Sequence, residues 1–242
     1  MLKKKILLYG FYRTGTNFLE AVLGDNFHIE ILNSAQTRGE RDVCHKHARL
    51  YSNSDCVSGN GRFICHHIKD FEDLKARIKA DNPFPDFFVV TSKDPYSWLL
   101  SFRDFATREP IYKNTKFHPI KEYILYYKKL ISLSEQGGNF IFVKYIDMIS
   151  NVDNLSRLGE LMNLEKRVEN INNNRKSVYM SPRPFSEDRR RFYTDKLYLN
   201  KLRDDASRSP EGYFFRQDHI EEINRNLDEE VIDYLGYKIE QP

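Results

Sequence analysis

The chain has 242 residues, 40% hydrophobic and 14% aromatic, too rich in apolar side chains for a disordered segment and long enough for one large α/β domain. A net charge of +3 and a pI near 8.6 exclude neither a nucleic acid nor a nucleotide but lack the charge density of a dedicated DNA binder, and no nucleic-acid partner is expected. Three cysteines without paired spacing argue against a disulfide framework, and no run approaches the roughly 18 apolar residues of a membrane span, which predicts a cytoplasmic protein with no integral membrane segment.

Ile6 to Tyr9 is a short apolar run, the pattern of a strand buried on both faces. The apolar run is too short for a secretion signal, and the polar turn Gly10 to Asn17 interrupts it. Thr16 to Leu23 places Phe18, Leu19, Val22 and Leu23 at helical spacing. Phe27 to Leu32 predicts a second strand, Thr37 to Asn60 a long polar surface segment, and Arg62 to His67 another strand. Phe71 to Lys79 reads as a helix stopped by Asn82-Pro83. Phe87 to Thr91 is the clearest buried strand, and Tyr96 to Thr107 the helix after it, with Pro95 where a missing N–H costs little. Pro119 to Glu135 predicts a long helix ended by Gly137-Gly138, followed by a strand over Phe140 to Tyr145 and a helix over Asn154 to Met162. Asn170 to Asn174 predicts a mobile loop. The tail is basic and aromatic, then amphipathic from His219 to Leu235. Strands alternating with helices predict an α/β fold with a central parallel sheet flanked by helices.

Two strand-to-helix junctions carry chemistry. In Gly10-Phe11-Tyr12-Arg13-Thr14-Gly15-Thr16-Asn17-Phe18 the glycines allow a tight turn and close backbone approach, and the helix start offers unpaired N–H groups to an anion. Arg13 adds a forked cation, and Thr14, Thr16 and Asn17 add side-chain donors. An ATP-binding loop needs Lys directly after its second glycine, whereas Thr16 stands there, so the turn suits a shorter anion and disfavours a small-molecule kinase. In the second junction Lys93 follows a strand and Ser101 lies about two helical turns on, so the two meet only if the chain turns sharply at Asp94-Pro95.

Together, in this order, the two segments resemble those of the sulfotransferases that use 3′-phosphoadenosine 5′-phosphosulfate (PAPS), a family with a single P-loop-like, three-layer α/β domain. The resemblance covers residues 5 to 23 and 87 to 105, and more loosely 140 to 164, where Phe142-Val143-Lys144-Tyr145-Ile146-Asp147-Met148-Ile149 is similar to a strand of that family. It is closest to bacterial members with Arg-Thr-Gly-Thr-Asn and Lys-Asp-Pro-Tyr-Ser-Trp. It implies that Arg13, Thr14, Gly15, Thr16 and Asn17 bind the 5′-phosphosulfate of PAPS, that Lys93 and Ser101 bind its 3′-phosphate, and that Phe18 stacks on adenine. It implies a sulfuryl transfer to an acceptor hydroxyl, of a carbohydrate or glycoconjugate, with PAPS as co-substrate and no metal. The alternative reading is a nucleotide-binding module without a working base.

The resemblance also implies a histidine base between the two anion sites. His45 and His47 are two apart and can share a face, whereas adjacent His66 and His67 on a strand point oppositely. Val43-Cys44-His45-Lys46-His47 looks like the Lys-His step of the bacterial branch, which selects His47 as the base with Lys46 as a second cation; His67 is the runner-up, and Asp42 or Asp70 are carboxylate alternatives. Cys44, Cys56 and Cys65 with these histidines lack the pair spacing of a structural zinc site. In the tail, Arg183, Arg189, Arg190 and Arg191 with Phe185, Phe192 and Tyr193 read either as a solvated basic face or as a flap, with Arg190 reaching the 3′-phosphate; residues 180–216 form the candidate lid or acceptor-binding segment, and Tyr213, Phe214 and Phe215 suit a sugar ring.

Overall fold

A computed structural model of the chain describes residues 3–34, 42–52, 65–81, 83–106, 119–173, 187–206 and 220–242. Four strands, β1 (Lys4–Tyr9), β2 (Ile29–Ile31), β3 (Phe87–Ser92) and β4 (Phe140–Lys144), form one parallel sheet in the order β2-β1-β3-β4. The register sets Leu7 beside Phe88 and Val89 beside Ile141. Strand side chains alternate between faces, and both faces are dry. Leu7, Tyr9, Phe88 and Val90 belong to one core, and Ile6, Leu8, Val89 and Val143 to the other.

Helices cover each face. Against Ile6 and Leu8 lie α1 (Thr16–Asn26), α5 (Tyr145–Ser150) and α6 (Val152–Leu161), through Leu19, Val22, Leu23, Met148, Leu155 and Leu158. The other face carries α2 (Phe71–Asp81), α3 (Pro95–Ala106), α4 (Pro119–Gln136), α8 (Leu197–Ala206), α9 (Ile220–Arg225) and α10 (Glu229–Tyr234). Helix α7 (Glu187–Thr194) packs on α5 and α8. No described helix is long and apolar enough to cross a membrane.

Five expectations change. Of Thr37 to Asn60, read as a surface segment, the described residues 42–52 enter the core through Val43, Cys44, Ala48, Leu50 and Tyr51. The run Phe140 to Tyr145 ends as a strand at Lys144, and Tyr145 opens α5. Of Arg62 to His67, residues 62–64 lie outside the described residues; among the described residues Cys65 forms an isolated bridge to Arg49 rather than a strand, and the left-handed backbone of His67 (φ 48°) breaks an extended run. The polar run from Asn170 is irregular, yet it is tied down: Asn26 and Asn172 exchange two hydrogen bonds at 2.8 and 3.0 Å, and Asn173 Nδ2 donates to the Met148 carbonyl at 2.9 Å; Asn174 lies outside the described residues. The tail carries α7 and α8 ahead of its amphipathic part.

The strand ends that carry the site are braced from α4. Tyr127 Oη donates to the Thr91 carbonyl at 2.6 Å, Tyr123 Oη to the Lys93 carbonyl at 2.5 Å, and Tyr126 Oη to the Lys46 carbonyl at 3.3 Å. Burial pushes all three phenols above their ordinary pKa, so they stay protonated and keep donating.

Two helical glycines separate packing from propensity. A Cβ on Gly24, in α1, meets nothing within 4 Å, whereas one on Gly159, in α6, falls 2.4 Å from the buried Phe27 ring. Gly24→Ala is expected to stabilise the protein by about 0.5–1 kcal/mol. Gly159→Ala is expected to destabilise it by about 1–3 kcal/mol. Urea unfolding of both variants checks the pair, and equal signs would contradict the packing described here.

Candidate functional site

The chain moves from β1 to β2 on one side and then returns to β3 on the other, so the sheet changes direction between β1 and β3. In open parallel sheets the crevice outside the carboxyl ends of such strands is the ligand position. Both sequence-predicted junctions open there.

The first junction, residues 10 to 15, lies directly on the end of β3. A Cβ on Gly10 would fall 2.1 Å from Thr91 Oγ1 and 2.7 Å from Thr14 Oγ1, so only glycine fits. Thr14 is fully buried; its hydroxyl lies 2.7 Å from the Phe11 carbonyl and 3.1 Å from Thr91 Oγ1, which makes it a brace for the loop rather than an outward donor. Gly15 takes a left-handed backbone (φ 97°) and caps α1 with no side-chain hydrogen bond. The first turn of α1 contains no acidic residue, so no carboxylate of that turn would compete with an anion for its N–H groups. Arg13, also left-handed (φ 70°), is exposed, with its guanidinium 6.0 Å from the Phe105 ring centre. Thr16 is buried, and Asn17 Oδ1 accepts from Lys46 Nζ at 2.7 Å.

The second junction turns as the sequence requires. Asp94 Oδ1 accepts from the N–H groups of Tyr96 and Ser97 at 3.1 Å each, and Pro95 occupies the first position of α3. That turn brings Lys93 Nζ to 2.5 Å from Ser101 Oγ, whose own proton goes to the Ser97 carbonyl at 3.2 Å. Lys93 is buried and also donates to Tyr193 Oη at 3.0 Å.

Tyr145 joins the two junctions, and sequence reasoning assigned it no role. Its ring lies against Gly15, where a Cβ would fall 2.3 Å from it, and its centre is 5.5 Å from Lys93 Nζ. Phe18 and Tyr193 pack edge-on against it at 5.8 and 5.6 Å. The signal was its place just past the carboxyl end of a strand. A cavity of about 260 Å³ opens beside it, lined by Lys93, Asp94, Lys144, Tyr145, Lys196 and Lys238 among others. Lys196 pairs with Glu240 and Lys144 lies 3.7 Å from Asp147, so the positive excess of this lining is smaller than its four lysines suggest, and it suits an anion with an aromatic part.

The base candidates separate. His47 Nδ1 lies 2.6 Å from the Gly10 carbonyl, and a carbonyl only accepts, so Nδ1 carries the proton. Burial, and beyond it the charges of His45, Lys46 and Arg49, lower the His47 pKa to about 3 against the opposing Gly10 bond, so the ring is neutral at physiological pH. Lys46 is buried and donates to Glu20 at 2.6 Å, which gives this second cation a fixed counter-charge on α1. His67 is solvent-facing, and among the described residues no hydrogen bond, ion pair or ring contact joins it to the Gly10–Gly15 turn. Arg190 pairs with Glu187 at 3.6 Å, and its buried Nε has no hydrogen-bond partner among the described residues. Asp42 accepts from the Cys44 N–H at 2.8 Å and Asp70 from the Asp73 N–H at 2.8 Å, both local turn roles. Arg183, Phe185, Cys56 and Tyr213 to Phe215 lie outside the described residues, as does the Arg189 side chain. Among the described residues no three His, Cys, Asp or Glu side chains converge as metal ligands.

No protein-family model matches the chain, and no curated protein matches it.

Asp94 gives the site a pH signature. Burial is the main cause that lifts its pKa to about 6, with Glu240 adding to it and the two N–H bonds opposing. A raised carboxyl pKa contributes stability below the unfolded value of about 3.9, which is lost as pH rises toward 6. Asp94→Asn, which keeps the helix cap, is therefore expected to gain on the wild type between pH 4 and pH 7 by roughly 2 kcal/mol. Unfolding curves at the two pH values check it; a pH-independent difference would contradict the burial of this carboxylate.

Proposed function

We propose that this protein is a PAPS-dependent sulfotransferase that moves a sulfuryl group to an acceptor hydroxyl, of a carbohydrate or glycoconjugate. The observation that carries the reading is the meeting of Lys93 and Ser101, eight residues apart, beside the glycine turn of the neighbouring strand. Two anion sites separated by an aromatic residue suit a nucleotide with phosphates at both ends of its ribose. The finer fold assignment, P-loop-like, belongs to the same proposal. Its support is the left-handed Gly15 immediately before α1 and the absence of an acidic residue in that helix's first turn. Three cysteines without paired spacing fit a reducing compartment such as the cytoplasm.

In the proposed reaction the acceptor oxygen forms a bond to sulfur as the bond from sulfur to the 5′-phosphate oxygen breaks. The electron pair stays on that phosphate oxygen, and the acceptor proton passes to His47 Nε2 and then to solvent. Positioning and charge stabilisation dominate such transfers. Arg13 and the α1 N–H groups take the charge growing on the leaving phosphate. Lys93, Ser101 and the cavity lysines hold the other phosphate, and Tyr145 and Phe18 flank the base. The low His47 pKa favours one second reading, a nucleotide-binding module that performs no transfer. An anionic donor beside the ring raises that pKa and works in the opposite direction.

Calorimetric titration with adenosine 3′,5′-bisphosphate, run beside ATP with Mg²⁺, tests the proposal. Preferential binding of the bisphosphate is expected, with Lys93→Ala weakening it about 10-fold or more. Acceptor-dependent release of the bisphosphate from PAPS separates transfer from binding, and Arg13→Ala is expected to abolish it. A folded protein that ignores the bisphosphate would end the reading.

A further inference from the structure

Tyr12 stands beside the candidate base with no role so far. Its ring centre is 4.3 Å from that of His47, with the planes 32° apart. Its other neighbours fix it. The Phe105 ring stacks at 5.6 Å and 17°, and the Arg49 guanidinium lies 5.5 Å from the Tyr12 ring centre. Arg49 is itself held by buried Glu122 at 2.5 Å, which also accepts from Tyr51 Oη at 2.8 Å. The Tyr12 carbonyl accepts from the indole N–H of the buried Trp98 at 2.7 Å, so backbone and ring are both anchored in the core. The imidazole meets this fixed ring on its face and the Gly10 carbonyl at its Nδ1 edge. Among the described residues nothing hydrogen-bonds its Nε2.

We propose that Tyr12 is a positioning residue: its ring holds the His47 imidazole so that Nδ1 stays on the Gly10 carbonyl and Nε2 is the nitrogen left to take the acceptor proton. One hydrogen bond leaves a ring able to swing about it, whereas the bond together with the tilted Tyr12 ring on its face, and the His45 ring edge-on at 5.4 Å, fixes both the direction and the plane. Placing Tyr12 inside the phosphate-binding turn also ties the base to Arg13, the next residue. The geometry of proton removal and of charge stabilisation is then set by one short segment. Its assignment to proton transfer rests on the sulfotransferase reading; the clamp itself does not.

Among the described residues the charged groups acting on His47 are His45 and Lys46 from its own loop and Arg49 from the chain just beyond it, and the Tyr12 phenol is the titratable group packed on its ring. Burial first, and then His45, Lys46 and Arg49, disfavour the imidazolium, and the Gly10 carbonyl favours it. Nitrogen-15 NMR of the full chain, labelled at histidine, reads the tautomer and the titration of His47 without any nucleotide. In the wild type His47 is expected as the Nδ1–H tautomer, with no titration between pH 5 and pH 8. Tyr12→Phe keeps the ring and is expected to match it. Tyr12→Leu is expected to yield mixed tautomers and a midpoint shifted toward the ordinary histidine value near 6.5. A wild type in the Nε2–H form, a Tyr12→Phe that loses the tautomer, or a Tyr12→Leu that keeps both properties would each overturn the clamp. Titration of the wild type with adenosine 3′,5′-bisphosphate in the same samples tests the nucleotide reading separately. An intact clamp without binding removes that reading and the proton-transfer role alone.

Discussion

Gly10 sits where no side chain fits, and the candidate site depends on it. With its Cα lying under Thr91 Oγ1, the loop after β1 can rest on the end of β3 instead of arching away from the sheet. The contact is then fastened from three sides. Thr14 and Thr91 approach through their hydroxyls, and the Gly10 N–H donates to the Lys46 carbonyl at 3.0 Å and to Tyr126 Oη at 3.1 Å. The Gly10 carbonyl accepts from His47. One residue without a side chain thereby joins β1, β3, α4 and the histidine loop, and it is why two junctions 80 residues apart in sequence face one crevice.

The charges around that crevice show which cations are structural and which are available to a ligand. Lys46 holds the half-buried carboxylate of Glu20 and Arg49 the buried one of Glu122, and removal of Arg49 would leave Glu122 uncompensated in a dry environment. Lys93 is buried among a serine hydroxyl and two tyrosine rings, partners that a phosphate oxygen can join or replace. Asp94 does the opposite work. It caps α3 and fixes the turn that aims Lys93, at the cost of a half-buried carboxylate beside the lysine-lined cavity.

Much of this was legible in the chain. The apolar runs at Ile6 and Phe87 and the helical spacing after each are local signals, and they located β1, α1, β3 and α3 to within a few residues. The approach of Lys93 to Ser101 was legible too, because Asp-Pro fixes the turn between them. What the sequence did not reveal depends on contacts between distant segments. The Lys46–Glu20 pair spans 26 residues and the Tyr145–Gly15 packing 130, and no periodicity encodes either. The expected strand runs one residue too far, to Tyr145, because an apolar aromatic suits both a strand and the first turn of α5. Likewise the inward turn of Thr14 follows from Thr91, not from any property of threonine in a glycine turn.

The central claim is that one ligand spans both junctions, and phosphorus-31 NMR of adenosine 3′,5′-bisphosphate tests it most directly because the two phosphates report separately. The account predicts that both resonances move on binding, that Lys93→Ala returns chiefly the 3′-phosphate to its solution shift, and that Arg13→Ala returns chiefly the 5′-phosphate. Movement of one resonance alone, or of neither with the protein folded, would contradict it.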